Sequence, residues 1–304
     1  MALQFILAAL LTASLQSRVP IDIISIDQHP EQIVWGSAYA CGPLWIKSQG
    51  LLFSDPGQDA VFTFANGKAN RIIHPSSKEF GHALDASGQV SFCQQGGRVV
   101  GKRSKDSKLK VLASMFDGKR LNGPVDLAIK SDGSIYFTDP KTVDPRTKLE
   151  MGFSGVYRIK PDGTIDLLSK ELAFPNGIAF SKDEKKLFVS DTIRMCMNVF
   201  DVLPDGSITN CQVFSYLMGD NAGAPGGIRL DVKGNVYAAG PGGVLVFDSV
   251  GKYKGLIFVK DAVTSLCFGG SDYQTLFITA AHGVYRIKVK VPGLHLDFSP
   301  DAKH

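Results

Sequence analysis

The fold is decided by the stretch Phe174-Pro-Asn-Gly-Ile-Ala-Phe-Ser-Lys-Asp-Glu-Lys-Lys-Leu-Phe-Val-Ser-Asp191. It contains two apolar runs of period-2 character, Ile178–Phe180 and Leu187–Val189, separated by the polar turn Lys182–Glu184. Two short apolar runs around a polar turn are typical of a β-hairpin. The same unit recurs along most of the chain, so this stretch represents the repeating element of the fold.

Six copies of the hairpin occur, spaced 38 to 51 residues apart, and they begin at Cys41, Phe80, Val125, Asn176, Gly226 and Thr264. Each copy is followed by a third β run, at Ala60–Phe64, Arg98–Lys102, Gly155–Ile159, Met197–Asp201, Gly243–Phe247 and Gly283–Ile287. A fourth run is usually detectable, as at Thr164–Leu168. Four strands at a period of about 40 to 50 residues are typical of a propeller blade.

We therefore predict an all-β protein, a six-bladed β-propeller with four-stranded blades. The sixth copy leaves no room for a fourth strand before the chain ends. The alternating run Ile21–Ile26 is predicted to complete that blade, so that an N-terminal strand closes the ring. Residues 18–304 then form a single propeller domain.

Residues 1–17 form an apolar segment with small residues near Ala13, which is typical of a signal peptide, although a basic start is missing. It is too short to span a bilayer, so we expect no stable membrane insertion. A signal peptide would place the protein outside the cell or in the endomembrane system. The alternative is an N-terminal helix packed on the domain of a cytoplasmic protein.

The net charge is +4, from 33 basic and 29 acidic residues. Apart from a modest cluster between Lys102 and Lys110, the basic residues are scattered, and no stripe with stacking aromatic residues suggests nucleic-acid binding. The five cysteines show no Cys-x-x-Cys spacing, and buried free thiols are expected for most of them.

The propeller geometry predicts where the chemistry lies. The first strand of each blade lines the central channel, so the six residues that begin the hairpins meet at its mouth; we call them the mouth residues. Loops on the same face add further apolar side chains, among them Met151, Phe153, Met195, Tyr216 and Met218. A concave, mostly apolar pocket is a typical small-molecule site. We expect an apolar small-molecule substrate in contact with these side chains and with Phe80, Val125, Thr264 and Ser265.

The repeats resemble the SMP-30/gluconolactonase/luciferin-regenerating-enzyme family, most clearly at 124–140, 174–181 and 226–237. The resemblance implies a six-bladed propeller, and the family includes lactonases and a phosphotriesterase. It also implies one divalent cation, usually Ca²⁺, at the channel mouth. Its ligands would be a Glu before Gly-Pro, an Asn before Asp, an Asn before Gly and an Asp before Gly.

Three of these four ligands are replaced in this sequence. The corresponding residues are Cys41, Val125, Asn176 and Gly226, of which Asn176 alone matches. One neutral amide cannot hold Ca²⁺, which takes six to eight oxygen ligands, and we therefore expect no metal and no other cofactor. A relocated metal on Asp126, Asp191 or Asp220 is the alternative.

Few polar residues remain as catalytic candidates. Asn176 could orient a carbonyl group, and Thr264 and Ser265 could donate hydrogen bonds. His82 and His282 could act as acid or base, because histidine titrates near neutral pH. Cys41 could be a nucleophile if a base such as His82 were adjacent.

Three functions follow from this inventory. The first is a metal-independent enzyme that folds an apolar substrate for cyclisation, pericyclic addition or condensation in secondary metabolism, chemistry that needs shape and proximity. The second is a lactonase or esterase with a rebuilt metal site. The third is a propeller that binds a ligand without catalysis. Asp126 and Asp191 are expected to have structural roles at their hairpins.

Overall fold

The computed structural model describes residues 19–103, 109–141 and 148–295. The described part contains β-strands and no helices, and it forms six four-stranded antiparallel sheets plus one two-stranded ribbon. The predicted six-bladed β-propeller is confirmed. The proposed signal peptide or helix at 1–17 lies outside the described residues, as do parts of the Lys102–Lys110 cluster and of the loop before Met151. No helix in the described ranges is long and apolar enough to cross a membrane.

The strands follow one another through the blades in chain order. Blade 1 comprises β2 to β5, blade 2 comprises β6 to β9, blade 3 comprises β12 to β15, blade 4 comprises β16 to β19, blade 5 comprises β20 to β23, and blade 6 comprises β24 to β26 with β1. The bounds are β1 Glu31–Trp35, β2 Cys41–Ile46, β3 Gly50–Asp55, β4 Ala60–Ala65, β5 Lys68–Ile73, β6 Glu79–Leu84, β7 Val90–Gln94, β8 Val99–Arg103, β9 Leu109–Ala113, β10 Met115–Phe116, β11 Lys119–Arg120, β12 Leu127–Ile129, β13 Ile135–Asp139, β14 Gly155–Ile159, β15 Ile165–Ser169, β16 Pro175–Phe180, β17 Lys186–Asp191, β18 Cys196–Val202, β19 Ile208–Tyr216, β20 Ile228–Leu230, β21 Val236–Gly240, β22 Gly243–Phe247, β23 Tyr253–Phe258, β24 Val263–Gly269, β25 Thr275–Ala280 and β26 Gly283–Lys288.

An N-terminal strand does close the ring, but it is not the predicted one. Strand β1 pairs antiparallel with β26, with Glu31 opposite Arg286 and Trp35 opposite Gly283. The predicted strand Ile21–Ile26 is wrong, because those residues form turns in which the N–H groups of Ile23 and Ile24 both donate to the carbonyl of Pro20. The adjacent isoleucines 23 and 24 are both buried, which an alternating strand on one face of a sheet would not allow.

In three of the blades, an aspartate at the end of the second strand fixes the loop that leads into the first strand. Asp55 accepts the backbone N–H groups of residues 38 and 39, and Asp139 accepts those of 122 and 123. Asp191 accepts those of 173 and 174. These loops lead into the mouth residues, so the repeated carboxylates position the mouth. The structural role predicted for Asp191 agrees with these contacts.

The core is built where neighbouring blades pack face to face. Fully buried aromatic side chains fill these interfaces, including Tyr136, Tyr157, Tyr237 and Phe53. The ring of Phe137 stacks on Tyr157 with centroids 5.2 Å apart. Each such ring stabilises the fold by about 1.5 to 3 kcal/mol through burial of apolar area. All five cysteines are free thiols and four of them are buried, as expected.

Candidate functional site

A cavity of about 200 Å³ opens at the channel mouth, where the first strands of the blades begin. The predicted residues among its lining are Cys41, Phe80, Val125, Asn176, Thr264 and Ser265. Five of the six mouth residues thus meet as the blade geometry predicts. The sixth, Gly226, is buried beside them, and its neighbour Gly227 lines the cavity instead.

The residue that follows each mouth residue is a glycine in four blades, because the backbone of the next blade comes very close. A Cβ at Gly42 would lie 1.8 Å from the carbonyl oxygen of Phe80, and one at Gly177 would lie 2.2 Å from that of Gly226. The other two blades carry Asp126 and Ser265 at this position. Their side chains enter the room left by neighbouring glycines, since a Cβ at Gly81 would lie 2.4 Å from the carboxylate of Asp126. Asp126 is thereby held inside the channel.

Asp126 is a buried carboxylate on the wall of the mouth cavity, with a side chain only 7% exposed. It accepts the N–H of Leu127 at 3.0 Å and, more weakly, that of Ile178 at 3.4 Å. The guanidinium of Arg229 lies 3.8 Å from it. Burial raises the pKa of Asp126 above its usual value and outweighs the lowering effect of Arg229. A carboxylate has about four acceptor sites, so Asp126 retains acceptor capacity for a water molecule or a ligand in the cavity.

The side chains of Asn176 and Thr264 make hydrogen bonds within the protein that their sequence positions do not predict. The side-chain N–H₂ of Asn176 donates to the hydroxyl of Thr192 at 3.1 Å and to the carbonyl of Pro225 at 3.4 Å. Its side-chain oxygen makes no hydrogen bond to the described residues and can accept one from a water or a ligand. The Thr264 hydroxyl donates to the carbonyl of Ala40 at 2.6 Å. Thr264 therefore joins blade 6 to blade 1 rather than presenting a free donor.

Cys41 and His82 do not form the predicted nucleophile and base. Burial, together with the charges of nearby carboxylates, raises the pKa of the Cys41 thiol well above its usual value, so the thiol stays protonated. His82 lies below the mouth, where Nδ1 faces the carbonyl of Gly42 at 2.6 Å and Nε2 faces Glu79 at 3.0 Å. Both ring nitrogens of His82 are thus engaged by groups of the protein itself.

The predicted loop residues lie outside the mouth cavity. The side chain of His282 is 80% exposed and pairs with Asp261. Met151 and Phe153 pack on a core cluster between blades 2 and 3. Tyr216 and Met218 are 62% and 59% exposed on the mouth face, and Met195 is half-buried beside them. Loop packing depends on contacts that strand periodicity does not encode.

Four further side chains line the cavity: Tyr39, Gln95 and Phe174, which were not predicted as site residues, and Asp126, which was considered only as a ligand of a relocated metal. The first three lie in loops, and no periodic signal marks them. Asp126 has a clear signal, since it stands where four of the six hairpins carry glycine. The structural role predicted for Asp126 rests on its hairpin position alone and takes no account of the glycines at the equivalent positions.

The metal ion that the family resemblance implies does not fit the residues present. The corresponding positions supply one amide oxygen, from Asn176, whose neighbours there are a thiol, a valine and a glycine. In the ranges that the structure describes, no three His, Cys, Asp or Glu side chains are placed to hold a metal ion. Asp191, suggested for a relocated site, has its carboxylate engaged by backbone N–H groups.

The chain is thus a six-bladed propeller with a cavity where the first strands of its blades meet. The profile of the SMP-30/Gluconolactonase/LRE-like region matches residues 39–282, and the chain belongs to this family. A gluconolactonase from Zymomonas mobilis is 33% identical over an alignment 312 positions long, which covers 93% of this chain and 85% of that protein. A solved gluconolactonase structure from Xanthomonas campestris is 28% identical with a TM-score of 0.82, covering 88% of this chain and 91% of that one.

A luciferin-regenerating enzyme shares the fold at 18% identity, with a TM-score of 0.72 over 88% of this chain and 97% of that one. The gluconolactonase relatives support an enzyme rather than a non-catalytic propeller. They contradict the prediction of cyclisation or condensation chemistry, which is wrong. The alternative prediction of a lactonase-type hydrolase fits these relatives better.

Proposed function

We propose that the protein is a lactone or ester hydrolase that works at the mouth cavity with Asp126 as its general base. The observation that carries the proposal is the 33% identity to a gluconolactonase over 93% of the chain. Asp126 supports it, as a carboxylate on the cavity wall with unused acceptor capacity. Because the residues present do not fit the family's cation, no step of the proposed reaction passes through a metal.

The proposed reaction has two steps, and the Asp126 carboxylate takes part in both. Asp126 takes a proton from a water molecule as the water oxygen attacks the acyl carbon. The C–O bond to the leaving oxygen then breaks, and the protonated Asp126 returns its proton to that oxygen, giving a hydroxy acid. The raised pKa of Asp126 favours both directions of transfer, because an efficient acid–base catalyst has a pKa near the working pH.

Two cavity side chains have the chemistry to assist. The phenol of Tyr39 is protonated at neutral pH and is a donor for the developing oxyanion. The free amide oxygen of Asn176 can accept a hydrogen bond from the attacking water and orient it. Preorganised groups of this kind are worth about 10²-fold or more in rate when each is removed.

The lining favours an apolar substituent on the substrate over a polyhydroxylated one. Tyr39, Phe80 and Phe174 present aromatic faces, and Cys41 and Val125 add small apolar surfaces. A sugar lactone needs a hydrogen-bond partner for each hydroxyl, since an unpaired buried polar group costs about 1 to 3 kcal/mol. The Thr264 hydroxyl is committed to a backbone carbonyl, which removes one such partner from the cavity.

The test is a hydrolysis assay by pH-stat on three substrates: glucono-δ-lactone, a δ-lactone with an alkyl side chain, and phenyl acetate. We expect turnover, with kcat/KM for the alkyl lactone at least about tenfold above that for gluconolactone. Asp126→Asn should lower kcat by at least about 10²-fold. Asp220→Asn, which changes an exposed aspartate of the mouth face, is the matched control and should keep full activity.

A second set of measurements tests whether hydrolysis requires a divalent cation. The same rates are measured after dialysis against EDTA and after return of Ca²⁺, and no change is expected. Loss on chelation with recovery on Ca²⁺ would refute the metal-free mechanism while leaving hydrolysis intact. Saturable binding of the substrates without turnover would instead refute the enzyme assignment.

A further inference from the structure

A second cavity, also about 200 Å³, lies inside the channel at the end opposite the mouth. It is enclosed by the later residues of the six innermost strands, and its wall is largely apolar, with Leu44, Leu84, Ile178 and Phe268 among the contributors. Leu294 and His295 form part of the lining at this end, and the ring of His295 stacks on Tyr273. The channel therefore holds two cavities with different lining residues.

Arg229 is the only Lys, Arg, Asp or Glu side chain among the described residues that line this second cavity. Its Nη1 donates to the carbonyl of Ile228 at 2.6 Å and lies 3.8 Å from the carboxylate of Asp126. A guanidinium carries five N–H donors in a planar fork. Its Nε and Nη2 make no hydrogen bond to the residues described in the structure. The Nε and Nη2 donors of Arg229 are thus available to a ligand in the cavity.

The guanidinium of Arg229 has unused donors and apolar surroundings, which favour a ligand with an anionic group and an apolar body. A charge taken from water is stabilised when it is paired and hydrogen-bonded, and the planar fork of arginine matches a carboxylate with two parallel hydrogen bonds. The aliphatic and aromatic walls contribute only if the rest of the ligand is apolar.

We propose that this cavity binds a monocarboxylate with an apolar tail, the carboxylate on Arg229 and the tail against Leu84 and Phe268. An apolar cavity of about 150 Å³ accommodates benzene, so the present volume suits a tail of about six carbon atoms. The site is distinct from the mouth cavity, because Arg229 lines one chamber and Asp126 lines the other.

The probe is hexanoate, titrated into the full-length protein by isothermal titration calorimetry. 1-Hexanol carries the same tail without the charge, and acetate carries the charge without the tail. We expect one saturable site for hexanoate, with 1-hexanol and acetate each at least about tenfold weaker, as loss of a charge-assisted hydrogen bond or of the buried tail requires. Equal affinity for hexanoate and 1-hexanol would overturn the role of Arg229.

Variants locate the site. Arg229→Met should weaken hexanoate binding at least about tenfold, whereas Arg194→Met, at an arginine with a side chain 53% exposed, should not change it. Leu84→Trp fills the cavity without changing the cation and should abolish binding. If Arg229→Met does not fold, Arg229→Lys keeps the charge beside Asp126 but loses the fork, and weaker binding is again expected.

Two further results would overturn the proposal. The first is the absence of any saturable heat with hexanoate in the folded wild-type protein. The second is binding that survives Leu84→Trp but is lost in Phe80→Ala, since that pattern would place hexanoate in the mouth cavity.

Discussion

Replacing Glu79 by glutamine tests the buried charge network beneath the mouth. The Glu79 side chain is fully buried, and Arg103 donates to both of its oxygens, at 2.6 and 2.5 Å. His82 contributes a third contact at 3.0 Å. Glutamine keeps the shape but removes the charge and turns one acceptor into a donor that faces the guanidinium. Removing one partner of a buried ion pair costs about 3 to 5 kcal/mol, and the partial exposure of Arg103 places the expected loss near the lower end.

The assay is urea unfolding at pH 7 and 25 °C, followed by tryptophan fluorescence. Glu31→Gln is the matched control, because its pair with Arg286 lies on the surface and is worth about 0 to 1 kcal/mol. Burial would raise the pKa of Glu79, but its hydrogen bonds with His82 and Arg103 lower it. The stability it contributes is therefore present above the ordinary glutamate pKa of about 4.3 and is lost below it. A loss at pH 7 no larger than that of Glu31→Gln would refute the reasoning.

Three further predictions follow from the same contacts. The pH profile of kcat/KM should rise with pH through an inflection above the usual aspartate pKa of about 3.9, because burial raises the pKa of Asp126; an inflection below that value would contradict its role as base. Burial also raises the pKa of Asp139 to about 6, against the N–H groups of residues 122 and 123. The stability from its protonated form is full below the ordinary aspartate pKa of about 3.9 and is lost as pH rises through about 6. Between pH 4.5 and 7.5, the wild type should therefore lose about 2 kcal/mol of unfolding free energy that Asp139→Asn keeps, as measured by urea unfolding at both pH values. Gly177→Ala should destabilise the fold by about 2 kcal/mol or more in urea, because the new Cβ would meet the backbone of Gly226; a neutral effect would show that blades 4 and 5 can separate freely.

The fold was predictable because its signal is local and repeated. Each hairpin carries its own alternation and turn, and the third strands Gly155–Ile159 and Gly243–Phe247 agree with the sequence prediction residue for residue. The closing strand was misplaced because Ile21–Ile26 only resembles an alternating run. Its two central isoleucines are buried together in a turn, and the true partner of β26 is Glu31–Trp35.

The ring of mouth residues was also predictable, since a propeller brings equivalent positions together whatever their separation in sequence. The loop side chains were not, because their packing is set by neighbours in other blades. Met151 illustrates this: its loop opens on the mouth face, yet its side chain is buried in the core. Tyr39 and Phe174 reach the cavity from loops held by Asp55 and Asp191, an arrangement visible only in three dimensions.

Burial has opposite consequences for the Cys41 thiol and the Asp126 carboxyl, which both line the mouth cavity. Both are buried, and burial raises both pKa values. For a thiol this moves the pKa further from neutrality and leaves it inert, whereas for a carboxyl it moves the pKa toward neutrality, where proton transfer is most efficient. Burial therefore keeps the Cys41 thiol protonated, whereas it supports the proposed role of Asp126 as the base. In the proposed function, the proton-transfer group Asp126 therefore lies one residue beyond Val125, which corresponds to one of the metal ligands that the family resemblance implies.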